Sequence, residues 1–195
     1  MREAKMWIKK ARASWWEDGI VEIVVGVALL IIGLAGFLSN HLTGGAGVML
    51  RVVWMLSLFV FVVFGRRIVK AFKTRFVWPK YGYAEPLDRR EGRGGLLWST
   101  VIIVSLVLSI VFYRKPVANF LISIIPAGVF IYISQFSGLK RFVFIAVLTL
   151  LTGIVLTILE VNFSDSVGII LVASGIFLLI SGLIAWEKFK REMEG

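Results

Sequence analysis

Six apolar runs of near-equal length, at about 20–39, 46–65, 96–113, 117–135, 142–160 and 166–186, constrain this chain more than any other feature. A hydrocarbon core ~30 Å thick takes ~20 helical residues to cross, so each run fits one passage, the shorter ones with flanking residues drawn in. Within a bilayer the backbone must satisfy its own hydrogen bonds, which leaves helices or a closed barrel. Long runs without alternation write helices. The expected fold is therefore all-α: a polytopic membrane protein with six transmembrane helices between residues 18 and 186. Of 195 residues 58% are apolar, and the mean hydropathy is +0.89. Only residues 1–17, 66–95 and the tail 187–195 are left outside the bundle.

Charge placement gives the orientation. The net charge is +10, and nineteen Lys/Arg fall within residues 1–19, 66–95, 140–141 and 188–191. The opposite connections hold three: Arg51, Arg114 and Lys115. The positive-inside rule then puts both termini and the long loop in the cytoplasm of a multi-pass cell-membrane protein. The apolar run after the basic opening, ~19 residues, is longer than a signal-peptide core, so it reads as an uncleaved first helix. Residues 1–17 set Met1, Ala4, Ile8, Ala11 and Trp15 against Lys9, Lys10 and Arg12, an amphipathic helix suited to the headgroup layer. Ser14 and Glu17 form an S-x-x-E capping box, and Glu17 and Asp18 suit a helix N-terminus.

The first and last spans share one pattern, GVALLIIGLAGF echoed by GIFLLISGLIAW. Gly19, Gly26, Gly33 and Gly36 fall on one helical stripe, and Gly168, Gly175 and Gly182 on another. Small residues at that spacing let helix backbones approach closely in lipid, so these two helices are expected to pack antiparallel. Glu22 lies on the same stripe about one turn inside. It is either a proton or cation station at a cytoplasmic mouth or a structural ion pair with Arg66, Arg67, Arg93 or Lys188. Arg51 either snorkels to the headgroups or pairs with Glu160 under cover of Trp54. Pro126, followed by Gly128, predicts a kink in the fourth span. His41, the one histidine, reads as a solvated cap beside Asn40.

The loop 66–95 opens with Arg66, Arg67, Lys70, Lys73 and Arg75 around Ile68, Phe72 and Phe76, so the second helix is expected to continue as a basic surface helix up to Pro79. Lys80, Tyr81, Tyr83, Arg89, Arg90 and Arg93 follow in a turn-rich segment. Together these form a candidate docking surface for a protein partner or anionic lipid; the plain alternative is a solvated connector. TRFVWPKYGYAEP, with Trp78, Pro79, Lys80, Tyr81, Gly82 and Tyr83, resembles the loop of small uncharacterised prokaryotic integral membrane proteins. Those also open their first helix with a pattern like Trp16, Asp18, Gly19, Glu22 and Ile23. The resemblance implies that the acidic start of the first helix and the loop act together, and it implies no activity.

No H-E-x-x-H, G-x-S-x-G, phosphate-cradling glycine loop or Asp-rich cluster is written here. The absence of cysteine removes disulfides, thiolate metal sites and thiol nucleophiles. One Gln, three Asn and no Cys lean towards a heat-adapted source. The reading is a non-enzymatic scaffold or accessory subunit without cofactor or metal, meeting lipid headgroups and a protein partner but no nucleic acid, and open to homo-oligomerisation. The rival is a small oligomeric transporter or channel with Glu22 and Arg51/Glu160 as polar stations.

Overall fold

The computed structural model describes residues 16–76 and 92–194. The amphipathic helix and capping serine expected before Trp16, and Lys80, Tyr81, Tyr83, Arg89 and Arg90, lie outside the described residues, as do the side chains of Arg66 and Arg93. Every regular element among the described residues is a helix: α1 (Ile20–His41), α2 (Gly44–Phe76), α3 (Gly92–Val111), α4 (Val117–Ser137), α5 (Arg141–Ile158) and α6 (Phe163–Glu194). Five are long and apolar enough to cross a membrane: α1, α4 and α5 over their whole length, α2 over Gly44–Phe61 and α6 over Phe163–Glu192. In α3 the described apolar part is the shorter Thr100–Val111.

The helices run up and down. α1, α3 and α5 start at one end of the bundle, here the Trp16 end, where α2, α4 and α6 finish. The turns at 42–43, 112–116 and 159–162 gather at the other, the His41 end. α1 packs chiefly on α6, α6 also meets α5 and α4, and α2 and α3 are outriders on α1 and α4. α2 and α6 count 33 and 32 residues. At ~1.5 Å per residue each is ~50 Å long and projects past a ~30 Å core. α2 reaches Phe76, as the Ile68–Phe72–Phe76 spacing predicts. The tail, in contrast, is no separate segment: α6 runs on to Glu194, its exposed turns carrying the i,i+4 pairs Glu187–Arg191 at 3.9 Å and Lys188–Glu192 at 3.7 Å.

The glycine stripes of α1 and α6 face each other in antiparallel register. A Cβ on Gly26 would stand 2.9 Å from the Gly175 carbonyl oxygen, and one on Gly33 2.8 Å from that of Gly168. Gly19 meets the Gly182 carbonyl and has φ 70, so both its backbone and its surroundings require glycine. Gly36 departs from the stripe: its nearest neighbours are atoms of Trp54 on α2. A step of three residues falls short of a full 3.6-residue turn by about 60°, so Gly36 turns from α6 towards α2. A second close approach, Gly153 of α5 against Ser123 of α4, joins the other helix pair.

The apolar core is built from Ala127, Phe130, Phe142, Ile145, Ala146 and Leu178, with Trp16, Val25, Leu29 and Phe177 packed on it. It lies towards the Trp16 end between α4, α5, α6 and α1. α4 runs unbroken through Pro126.

Candidate functional site

Two polar clusters stand at opposite ends of the bundle. At the Trp16 end, the left-handed turn at Gly19 folds Asp18 back over the start of α1, where Oδ1 accepts the Ile20 N–H at 3.1 Å. Asp18 is 3% exposed. Its Oδ2 accepts Lys73 Nζ at 2.7 Å, and Lys73 is 1% exposed. Lys73, read from sequence as a docking cation on a surface helix, is instead buried. The reason is that Val69 and Lys73, one turn apart, share the α2 face turned towards the bundle, both almost fully buried. Burial holds the Lys73 ammonium pKa below the ordinary lysine value, opposed by the Asp18 carboxylate.

One turn further in, Glu22 is 1% exposed. Its Oε2 accepts Ser181 Oγ at 2.8 Å, and Arg141 Nη2 lies 2.6 Å from Oε1. The Arg141 Nη2–H is aimed at the Trp16 carbonyl, so the Glu22–Arg141 contact is one of charge, with Oε1 and Arg141 Nε left without hydrogen bonds. The Trp16 ring stands edge-on to Phe142 at 5.5 Å. Glu22 therefore forms the structural pair anticipated for it, but with a different cation from the four expected. Arg141 opens α5, and the Trp16–Phe142 contact brings that helix start beside the start of α1. Nothing in the sequence pairs those two segments; the available signal was a cation at the same predicted depth as Glu22.

These pairs balance two carboxylates with two cations. Among the described residues the exposed cations at this end, Arg67, Lys70, Arg75, Lys140, Lys188 and Lys190, outnumber the exposed acids Glu17, Glu187 and Glu192. Arg67 lies over the Phe64 ring at 5.7 Å.

The His41 end holds a vestibule of roughly 1030 Å³ lined by Asn40, His41, Arg51, Tyr113, Arg114, Lys115, Asn119, Glu160 and Asp165 among others. Arg51 and Glu160 both border it, yet no hydrogen bond or ion pair joins them, and Trp54 covers Gly36 instead of the guanidinium. Glu160 closes α5 at φ 51 and is exposed, while Arg51 sits on the outrider α2. Asp165 is taken up by Asn40 Nδ2 at 3.0 Å and His41 Nε2 at 3.5 Å, so His41 is held to α6 and not merely solvated. Arg114 Nε donates to its neighbour Tyr113 Oη at 2.7 Å. Asn119, 1% exposed, donates through Nδ2 to the Val161 and Leu156 carbonyls at 2.7 and 3.2 Å, and its Oδ1 has no partner. Beside the vestibule a narrower slot of roughly 240 Å³ runs between α2 and α6, walled by Gly36, Trp54, Met55, Phe163, Val167 and Gly168.

Between the two clusters the interior offers hydroxyls that are mostly spent on their own helices. Thr149 bonds to the Ile145 carbonyl, Ser123 to that of Phe120 and Ser109 to that of Ser105. The core of Phe130, Ile145 and Leu178 lies about one turn membrane-ward of Glu22. Among the described residues no group of three or more His, Asp or Glu is placed to hold a metal ion. Comparison with protein-family models, curated proteins and solved structures finds no match to this chain.

Proposed function

We propose that this is a non-enzymatic integral membrane protein, a scaffold or accessory subunit that presents a basic cytoplasmic face to anionic lipid headgroups or to an acidic partner. Its six helices cross the membrane with both termini inside, which puts the Trp16 end in the cytoplasm. The observation that carries the reading is the division of charge at that end. Asp18 is spent on the buried Lys73 and Glu22 on the half-buried Arg141, so among the described residues the exposed Arg67, Arg75, Lys140 and Lys188 outnumber the exposed acids of that end, Glu17, Glu187 and Glu192. The long basic arms of α2 and α6 carry these cations beyond the hydrocarbon core. Near an anionic surface each is worth ~1 kcal/mol.

The test is binding of anionic vesicles to the full chain held in phosphatidylcholine nanodiscs. Replacing Arg75, Lys80, Arg89 and Arg90 together with Gln removes ~4 kcal/mol and weakens capture several hundredfold. Raising the salt does the same to the wild type. Capture unchanged by the four substitutions refutes the proposal. The transporter reading draws less support, because an apolar core and self-bonded hydroxyls occupy the route between Glu22 and Arg51.

A further inference from the structure

The vestibule and the slot at the His41 end share Asn40, Arg51, Phe163 and Ser164, so a polar chamber opens directly into an apolar groove. We infer that the two together bind one anionic glycerophospholipid, its phosphate held by Arg51 with Lys115 and an acyl chain laid in the slot over Gly36 and Val167.

Charge selects the head. The vestibule wall carries Arg51, Arg114 and Lys115 against Glu160 and Asp165, and Asp165 is already engaged by Asn40 and His41. Arg51 makes no hydrogen bond or ion pair among the described residues, which leaves a planar fork suited to a phosphate. In the same wall Asn119 is almost fully buried and keeps Oδ1 without a donor. A headgroup that brings hydroxyls answers it; a choline does not. Position selects the tail. The slot opens on the side where α2 leans chiefly on α1, and Met55 at its wall is 64% exposed. An acyl chain enters there from the surrounding lipid without crossing the packed α1–α6 seam. The inference rests on the membrane setting of the helices and not on the basic face at the opposite end. Binding in detergent is therefore read separately from any vesicle result.

The experiment uses the purified, delipidated full chain in detergent, titrated with phosphatidylglycerol, with phosphatidylcholine of the same acyl chains and with glycerol phosphate, and read by native mass spectrometry. Phosphatidylglycerol is expected to bind one per chain, with phosphatidylcholine and glycerol phosphate each about tenfold weaker or more. Arg51→Gln and Met55→Trp, at exposed positions where folding is preserved, each lower phosphatidylglycerol binding by about tenfold or more while the thermal transition stays in place. Equal binding of phosphatidylcholine overturns the reading of the head. Glycerol phosphate binding as tightly as the lipid overturns the role of the slot. Binding that neither variant weakens places the lipid elsewhere and overturns the site.

Discussion

Replacing Lys73 with Met tests the buried ionic contact that ties α2 to the start of α1. In the wild type the ammonium and the Asp18 carboxylate are 2.7 Å apart, with side-chain exposures of 2% and 5%. Taking the cation away leaves Asp18 with one hydrogen bond, from the Ile20 N–H, in a place water scarcely reaches. Stranding a buried charge in this way costs ~3–5 kcal/mol, far more than the net worth of the intact pair, because desolvation is no longer offset by attraction. For a chain of this length that corresponds to a fall of roughly 6–20 °C in the midpoint. Removing both charges, Asp18→Asn with Lys73→Met, recovers most of the loss, since no uncompensated ion remains. The assay is thermal unfolding of the four members of the cycle in one detergent, followed by tryptophan fluorescence. Arg75→Met, an exposed cation on the same helix, serves as control and stays within ~0.5 kcal/mol of wild type. If Lys73→Met costs no more than Arg75→Met, or if the double variant is as unstable as the two single losses added, the claim of a buried, coupled pair is wrong.

Other expectations follow from the same geometry. Burial lowers the folded-state Lys73 pKa below 10.5, so between the two values the unfolded chain binds more protons and the folded state gains stability as pH rises; a pH series of midpoints shows that gain in wild type and loses it in Lys73→Met. Gly26→Ala drives a methyl to within 2.9 Å of the Gly175 carbonyl and costs ~1–3 kcal/mol, whereas Gly45→Ala, with nothing within 4 Å, is neutral or slightly stabilising; equal effects at the two sites would rule out the seam. Gly36→Ala presses on the Trp54 ring and not on backbone, so it costs less than Gly26→Ala and shifts the tryptophan emission. The chain has no cysteine, so single Glu160→Cys and Lys188→Cys variants report topology directly. An impermeant maleimide added to intact cells labels the first and spares the second, and the opposite pattern inverts the proposed orientation.

What the sequence made legible was whatever a single helix declares about itself. Apolar run length located the passages, and the Gly26–Gly33 and Gly175–Gly182 spacing marked the faces of two helices that pack in register. Such signals are local, because the spacing of small residues is written on each helix separately. The identity of the partner of Glu22 is not local. Four cations lay at a suitable depth, and the choice of Arg141 depends on which helix stands beside α1, a matter settled by the packing of Trp16 on Phe142. Lys73 was misread for a related reason. A lysine among other cations on an amphipathic helix looks solvated until the acid that buries it is found 55 residues away. Arg51 and Glu160 show the converse: of the two readings open for Arg51, pairing with Glu160 is not found, and both residues instead border an open chamber.

The two ends of the bundle are closed by different physics, and that difference assigns them different work. At the Trp16 end, charge is matched pairwise inside and left in excess outside, an arrangement that fixes three helices and the chain entering α1 while keeping the surface cationic. At the His41 end the cations and carboxylates around the vestibule are mostly left unmatched, with Asn119 and Arg51 short of partners. The α1–α6 seam joins them through close backbone contact, with little side chain to rearrange. A change at one end is therefore expected to leave the other in place. Lys73→Met, though it lowers the midpoint, leaves phosphatidylglycerol binding in the vestibule within about twofold at temperatures where the variant is folded. Coupling larger than that would mean the seam transmits movement, and the division of labour between the ends would have to be abandoned.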